Sequence, residues 1–230
     1  QTFDEVVGQP GLAAKGAILR TLVESGEVPS MIFWGPPGSG KTTLAKVIAQ
    51  VTQNDFVELS AVTSGLQEVR QMIQEAQMGL DFRQRRTILF IDEIHRFNKH
   101  QQDAFLPWVE DGTIILIGAT TENPSFEVNA ALLSRCRVFV VNKLELGDIE
   151  TVVSRALSDF TRGFGRERIE LPVEVLAGIV RVADGDARAA LNVLELTVKA
   201  AKAADPRAMP VSLSVENLAA ALQRTHLIYD

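Results

Sequence analysis

Residues 35 to 42 read Gly35-Pro36-Pro37-Gly38-Ser39-Gly40-Lys41-Thr42, a G-x-x-x-x-G-K-T run between an apolar stretch (Met31 to Trp34) and a helix-like one (Leu44 to Ala49). These types at this spacing suit a phosphate cradle. A triphosphate needs several backbone N–H donors converging on its oxygens, and glycine, with no Cβ, lets the chain wrap closely and adopt positive φ. Gly38 and Gly40 supply that freedom. The helix that follows aims its N-terminal N–H groups and dipole at the anion. Lys41, otherwise a solvent-facing point charge, reaches the β- and γ-phosphates, and the Thr42 hydroxyl ligates Mg²⁺. The expected contacts are Pro37, Gly38, Ser39, Gly40, Lys41, Thr42 and Thr43.

Asp92 and Glu93 end the most apolar run in the chain, Thr87-Ile88-Leu89-Phe90-Ile91. In an open α/β sheet ligands sit beyond the carboxyl ends of the strands, so both acids are placed to work on the same nucleotide. Asp92 is expected to hold Mg²⁺ through its water shell. Glu93 is expected to polarise the attacking water, because phosphoryl transfer asks mainly for positioning and charge stabilisation. The next run, Ile114 to Gly118, leads into Ala119-Thr120-Thr121-Glu122-Asn123-Pro124. Thr121 is the first choice for a polar group touching γ-phosphate and lytic water, with Asn123 second; the alternative is an ordinary polar turn before a proline.

Two arginines could spread charge off a transferring phosphoryl group. Arg135 lies in Leu132-Leu133-Ser134-Arg135-Cys136-Arg137 and Arg188 in Gly185-Asp186-Ala187-Arg188. By sequence alone Arg135 and Arg137 are surface arginines, and Arg188 either contacts phosphate or pairs with Glu195 or Asp186.

These groups need a scaffold. Short β-like runs (Met31 to Trp34, Phe56 to Leu59, Thr87 to Asp92, Ile114 to Gly118, Val138 to Val141) alternate with helical segments, which implies a parallel sheet covered on both faces. After Leu144 the β signal disappears. Asp148 to Asp159, Pro172 to Ala183, Asp186 to Ala204 and Val215 to Leu222 carry helical spacing, and Ala204 to Ser214 reads as an exposed connection. The expected division is an α/β domain over 1–144 and an all-helical domain over 145–230. At 230 residues, 46% apolar and 23% charged, the chain has core enough for both.

A net charge of −6 argues against coating nucleic acid over the whole surface, yet leaves room for a local patch at Arg83, Arg85 and Arg86. A single cysteine, Cys136, excludes an internal disulfide and a multi-cysteine zinc site, and the three histidines (His95, His100, His226) show no ligand spacing. No apolar run is long enough to cross a bilayer. Starting at Gln1 without methionine and stopping at Asp230 without a terminating element, the chain reads as an excised fragment.

In order, these residues resemble an AAA+ ATPase, most closely the RarA family, whose eukaryotic members include the Werner helicase-interacting protein. The carrying stretches are Phe33 to Gly38, Ile91 to Lys99 with Gln101 to Pro107, Ile117 to Phe126, and Gly185 to Asn192. The resemblance implies a five-stranded parallel P-loop sheet flanked by helices, a small helical lid, ATP with Mg²⁺, and hydrolysis to ADP and phosphate that DNA stimulates in the full-length protein. It places Val7, Gly8 and Gln9 against the adenine, Thr121 as sensor 1, Arg135 as a finger acting on a neighbouring subunit, and Arg188 as sensor 2. It further implies homo-oligomers acting on DNA forks, ends or junctions at stalled or damaged replication sites together with repair proteins. Such a protein is nuclear in a eukaryote, which the chain slightly favours, and cytoplasmic in a bacterium. The segment preceding Val7 and the family's oligomerisation region are missing, which implies incomplete adenine contacts and a monomeric, weakly hydrolysing fragment.

Clamp-loader subunits share the Ser-Arg-Cys box, but many carry four zinc-binding cysteines, and they lack the Thr-Glu-Asn-Pro-Ser-Phe string. RuvB-type motors share Gly-Ala-Thr-Thr and diverge directly after it. The remaining alternative is an ATP-gated scaffold that recruits repair partners and hydrolyses slowly.

Overall fold

A strand buried on both faces must be apolar almost throughout, and Thr87 to Ile91 comes close, with all five residues buried and Thr87 the polar one. The computed structural model describes residues 2–83, 85–207 and 209–229, without the side chains of 66, 81–83 and 224–229. Arg83 and His226 therefore lie outside the described side chains. The chain divides into two compact units, Gln1–Asn142 and Lys143–Asp230, a boundary slightly earlier than the expected 144.

In the first unit a turn at Phe3–Glu5 precedes α1 (Pro10–Ala13), α2 (Ile18–Glu24), β1 (Met31–Trp34), α3 (Lys41–Thr52), β2 (Asp55–Ser60), α4 (Leu66–Arg83) and β3 (Thr87–Asp92). A single 3-10 turn at Ile94–Arg96 follows, then α5 (Lys99–Asp103), α6 (Leu106–Glu110), β4 (Ile114–Thr120), α7 (Pro124–Glu127), α8 (Ala130–Leu133) and β5 (Arg137–Val140). The five strands pair in parallel in the order β2-β3-β4-β1-β5. β4 thus lies between the strand that feeds the glycine-rich loop and the strand that ends in Asp92. Trp34 pairs with Thr120 and Ile91 with Gly118, so the carboxyl ends of these three strands come out together.

Successive strand residues point to opposite faces. Ile88, Phe90, Ile115 and Ile117 join Leu44, Val47 and Ile48 of α3 in one core. Leu89, Ile91, Ile114 and Leu116 join Val69 and Ile73 of α4 in the other. At about 1.5–3 kcal/mol per buried aliphatic side chain, these layers hold the strand ends in place.

Two glycines permit close approach near those ends. A Cβ on Gly35 would stand 2.0 Å from the Val141 carbonyl oxygen, a backbone atom that cannot swing aside. A Cβ on Gly118 would stand 2.7 Å from Ile32 Cδ1 and 2.9 Å from Ile94 Cδ1. Its absence lets Ile94 press the turn after Glu93 down onto β4. Gln102, 1% exposed, stitches the same region by donating to the carbonyls of Phe97 and Glu127 and accepting from the Asn129 N–H.

The second unit contains α9 (Leu146–Ser158), β6 (Ile169–Glu170), α10 (Val173–Ala183), α11 (Ala187–Ala204), β7 (Val211–Ser212) and α12 (Val215–Tyr229). Its core gathers Ile149, Val153, Val175, Ile179, Leu194, Val198 and Leu218. α10 ends on Asp184 at φ 44°, Gly185 follows at φ 82°, and Asp186 caps α11 by accepting from the N–H groups of Arg188 and Ala189. The all-helical expectation needs one correction, because β6 and β7 form a parallel pair. The 204–214 connection is accordingly not wholly exposed: Val211 and Leu213 are buried at 6% and 2%.

Candidate functional site

The glycine-rich loop leaves β1 at Trp34 and enters α3 at Lys41. Gly38 and Gly40 hold φ 65° and 97°, conformations that a side chain resists, and no side chain caps the N-terminus of α3. Ser39 is 1% exposed and its hydroxyl donates to the Pro36 carbonyl at 2.8 Å. The expectation that Lys41 faces solvent is corrected. It is 7% exposed, and its Nζ donates to the carbonyls of Gly35 and Pro36 at 2.8 Å each. The ammonium is thus folded along the loop's own backbone. Pro37 and Thr43 are exposed and Thr42 is half-buried.

The loop is tied to β4 directly, since the Gly35 N–H donates to the Thr120 carbonyl at 3.1 Å. At the end of β3, Asp92 Oδ1 accepts from the Glu93 N–H at 3.1 Å. Glu93 itself sits at φ 55°, turning the chain into the Ile94–Arg96 turn. Its Oε2 lies 3.2 Å from His95 Nε2, and His95 Nδ1 lies 2.9 Å from Thr120 Oγ1. Thr120 is fully buried and the His95 side chain is 9% exposed. Neither residue stood among the sequence candidates. A histidine two positions after the strand-end acid, opposite a threonine pair ending another apolar run, was the signal available. Thr121 is half-buried beside this chain of contacts, and Asn123 caps α7 by accepting from the Ser125 N–H.

Arg135 is exposed and occupied on its own subunit: it ion-pairs with Glu110 and donates to the Ala131 carbonyl at 2.7 Å and the Ser134 hydroxyl at 3.0 Å. Burial pushes the neighbouring Cys136 thiol up to about 12. In the second unit Arg188 is exposed. Neither suggested partner engages its guanidinium, because Asp186 caps the helix and Glu195 pairs with Lys199.

At the other end of the first unit, Val7 is half-buried and Gly8 takes φ 72°. Gln9 is 3% exposed and its amide is fully engaged. Nε2 donates to the Ser39 carbonyl at 3.3 Å and the Asn142 carbonyl at 2.8 Å, while Oε1 accepts from the Asn142 N–H at 3.0 Å. Among the described residues no cluster of three or more His, Cys, Asp or Glu could hold a metal by itself, and no helix is long and apolar enough to cross a membrane.

Residues 31–144 match the model for the ATPase family associated with various cellular activities (AAA), and residues 165–230 match the AAA C-terminal domain. The chain belongs to the AAA ATPase family. This AAA chain is similar to the replication-associated recombination protein A of Escherichia coli strain K12, with 53% identity over 89% of this chain and 46% of that protein. It is also similar to the ATPase WRNIP1 of Dictyostelium discoideum, with 43% identity over 99% of this chain and 27% of that one. It spans about half or less of the length of these relatives. Among solved structures, the Thermotoga maritima RuvB Holliday junction branch migration motor superposes with a TM-score of 0.73 over 96% of this chain and 71% of that one. At 24% identity that likeness concerns the AAA fold alone.

Proposed function

We propose that the chain binds and hydrolyses ATP and that the protein uses this reaction on DNA at stalled or damaged replication forks, as part of a homo-oligomer working with repair proteins. The carrying observation is the emergence of the glycine-rich loop, the Asp92-Glu93 pair and the Thr120-Thr121 pair from three strand ends in register, with β4 in the middle. Lys41 would exchange its two loop carbonyls for the β- and γ-phosphate oxygens. Thr121 would orient the γ-phosphate, Arg188 would take the sensor 2 role that the resemblance implies, and Arg135 would serve a neighbouring subunit's nucleotide. Val7, Gly8 and Gln9 would border the adenine, with Gln9 acting through its backbone because its amide is engaged within the fold.

The residues at the metal position fit Mg²⁺, since Thr42 offers a hydroxyl and Asp92 a hard carboxylate oxygen besides the one engaged by the Glu93 N–H. When bound, Mg²⁺ would offset negative charge on the phosphate oxygens as the bond from the γ-phosphorus to its bridging oxygen breaks. Glu93 would take a proton of the attacking water as the water oxygen bonds to the γ-phosphorus and ADP leaves with the bridging oxygen.

The DNA reading is supported by the likeness to replication-associated recombination protein A. Exposed Arg85 and Arg86 supply local positive charge despite the net −6. Such a protein belongs in the nucleus of a eukaryotic cell or the cytoplasm of a bacterium. The test compares ATP turnover with and without forked DNA for the parent chain and Glu93→Gln. Turnover that rises with the fork and vanishes in Glu93→Gln is expected. Turnover indifferent to every DNA form would instead favour a nucleotide-gated scaffold.

A further inference from the structure

We propose that His95 is a positioning residue for hydrolysis, holding Glu93 at the angle from which it activates water and being held in turn by Thr120. This rests on the reading of Glu93 as the base.

The proton positions follow from chemistry. His95 Nε2 stands 3.2 Å from Glu93 Oε2, and because an ionised carboxylate only accepts, the ring holds it when Nε2 carries the hydrogen. In a neutral ring Nδ1 is then the acceptor for the Thr120 hydroxyl at 2.9 Å, which is closer than that hydroxyl's other acceptor, the Glu122 carbonyl at 3.3 Å. Thr120 Oγ1 keeps a lone pair for the Glu122 N–H, which donates to it at 3.0 Å. The order is thus Glu122 N–H to Thr120 Oγ1, Thr120 O–H to Nδ1, and Nε2–H to Glu93.

Three features make this a support rather than a chance contact. Thr120 is fully buried and the His95 ring is 9% exposed, so water competes poorly for the bond between them. Glu93 is 32% exposed at its side chain, which leaves its carboxylate open to water. Thr120 also accepts the Gly35 N–H through its carbonyl, so one residue at the end of β4 touches both the start of the phosphate loop and, through the ring, the base. Deleting the ring frees a residue already at φ 55° to rotate its carboxylate away from the line of attack.

The test is single-turnover ATP hydrolysis, which reads very slow rates, together with ATP affinity by calorimetry. His95→Phe should lower the rate constant roughly ten- to hundredfold, the range for losing a hydrogen bond to a charged group, with affinity changed less than about twofold. Thr120→Val should lower it severalfold, and the double variant should be no slower than His95→Phe, because the hydroxyl acts through the ring. His95→Gln, whose amide N–H can replace Nε2–H, should recover part of the rate. Added to Glu93→Gln, His95→Phe should change nothing further.

If Glu93→Gln hydrolyses at the parent rate, the base reading fails. If Glu93→Gln is inactive while His95→Phe and Thr120→Val run at or above the parent rate, the positioning role alone is overturned. A parallel fall in affinity and melting temperature across the histidine variants, His95→Gln included, with no separate effect on rate would equally overturn it in favour of a structural role. Nitrogen chemical shifts of His95 give a reading independent of turnover: the neutral ring should carry its proton on Nε2, and finding it on Nδ1 refutes the order of donors.

Discussion

Gln9→Leu probes the most heavily engaged amide near the phosphate loop. The substitution removes three hydrogen bonds from Gln9, itself 3% exposed, and deprives the Ser39 carbonyl in a buried bond and the Asn142 N–H and carbonyl in two partly buried ones. A neutral hydrogen bond nets about 1 kcal/mol and a stranded buried polar group costs about 1–3 kcal/mol. The bond to Ser39 is long at 3.3 Å and counts for least. A loss of about 3 kcal/mol is therefore expected, because leucine returns some apolar burial but satisfies none of the three groups. At roughly 3 °C per kcal/mol for a chain of this size, the melting midpoint should fall by about 10 °C. The measurement is thermal and urea unfolding without nucleotide. If Gln9 served only to touch adenine, nucleotide-free stability would not change. A midpoint within about 2 °C of the parent refutes the argument from buried hydrogen bonds.

Lys41→Ala should weaken ATP binding by about 100-fold or more by calorimetry, since charge-assisted bonds to phosphate are lost, and unchanged affinity would sink the assignment. In assembled oligomers, Arg135→Ala and Lys41→Ala subunits should each be nearly inactive alone and regain turnover when mixed, where an intact finger meets an intact loop; if mixed oligomers form without recovery, Arg135 does not act in trans. Cys136 should resist alkylation in the folded protein and react quickly in denaturant, because burial holds its thiol at about 12 against an ordinary 9.0. Its raised value favours the folded state's thiol, so that contribution to stability is whole below pH 9.0 and is lost as pH rises toward 12, which urea midpoints across that range would trace.

The strands were legible because each is an apolar run bounded by glycine, proline or charge, and β1 and β3 begin and end where the runs do. Gly185 and Asp186 announced the break between α10 and α11 through chemistry that needs no tertiary context. β6 and β7 were not legible, since two-residue strands have no period to detect. The glycine-rich loop and the strand-end acids could be read from local spacing. The contacts that hold them could not. Gln9 meets partners 30 and 133 residues away, and His95 reaches a threonine 25 residues on, so their partners exist only after the sheet has formed. Lys41 misled for a related reason: a lysine's stem is long enough to fold back on carbonyls that sequence alone does not place near it.

The ion pair between Arg135 and Glu110 gives the guanidinium a resident anion, so anything that recruits Arg135 must first outcompete a carboxylate of its own subunit. With side chains 39% and 48% exposed, the pair is worth at most about 1 kcal/mol. That is a low threshold for a polyphosphate carrying several negative charges and a meaningful one for a single carboxylate or a neutral surface. If Arg135 serves a neighbouring subunit's nucleotide as proposed, Glu110 would act as a filter on what draws the arm out. Arg135 would then stay stowed beside empty or weakly charged neighbours and be released to a site whose charge exceeds that of its keeper.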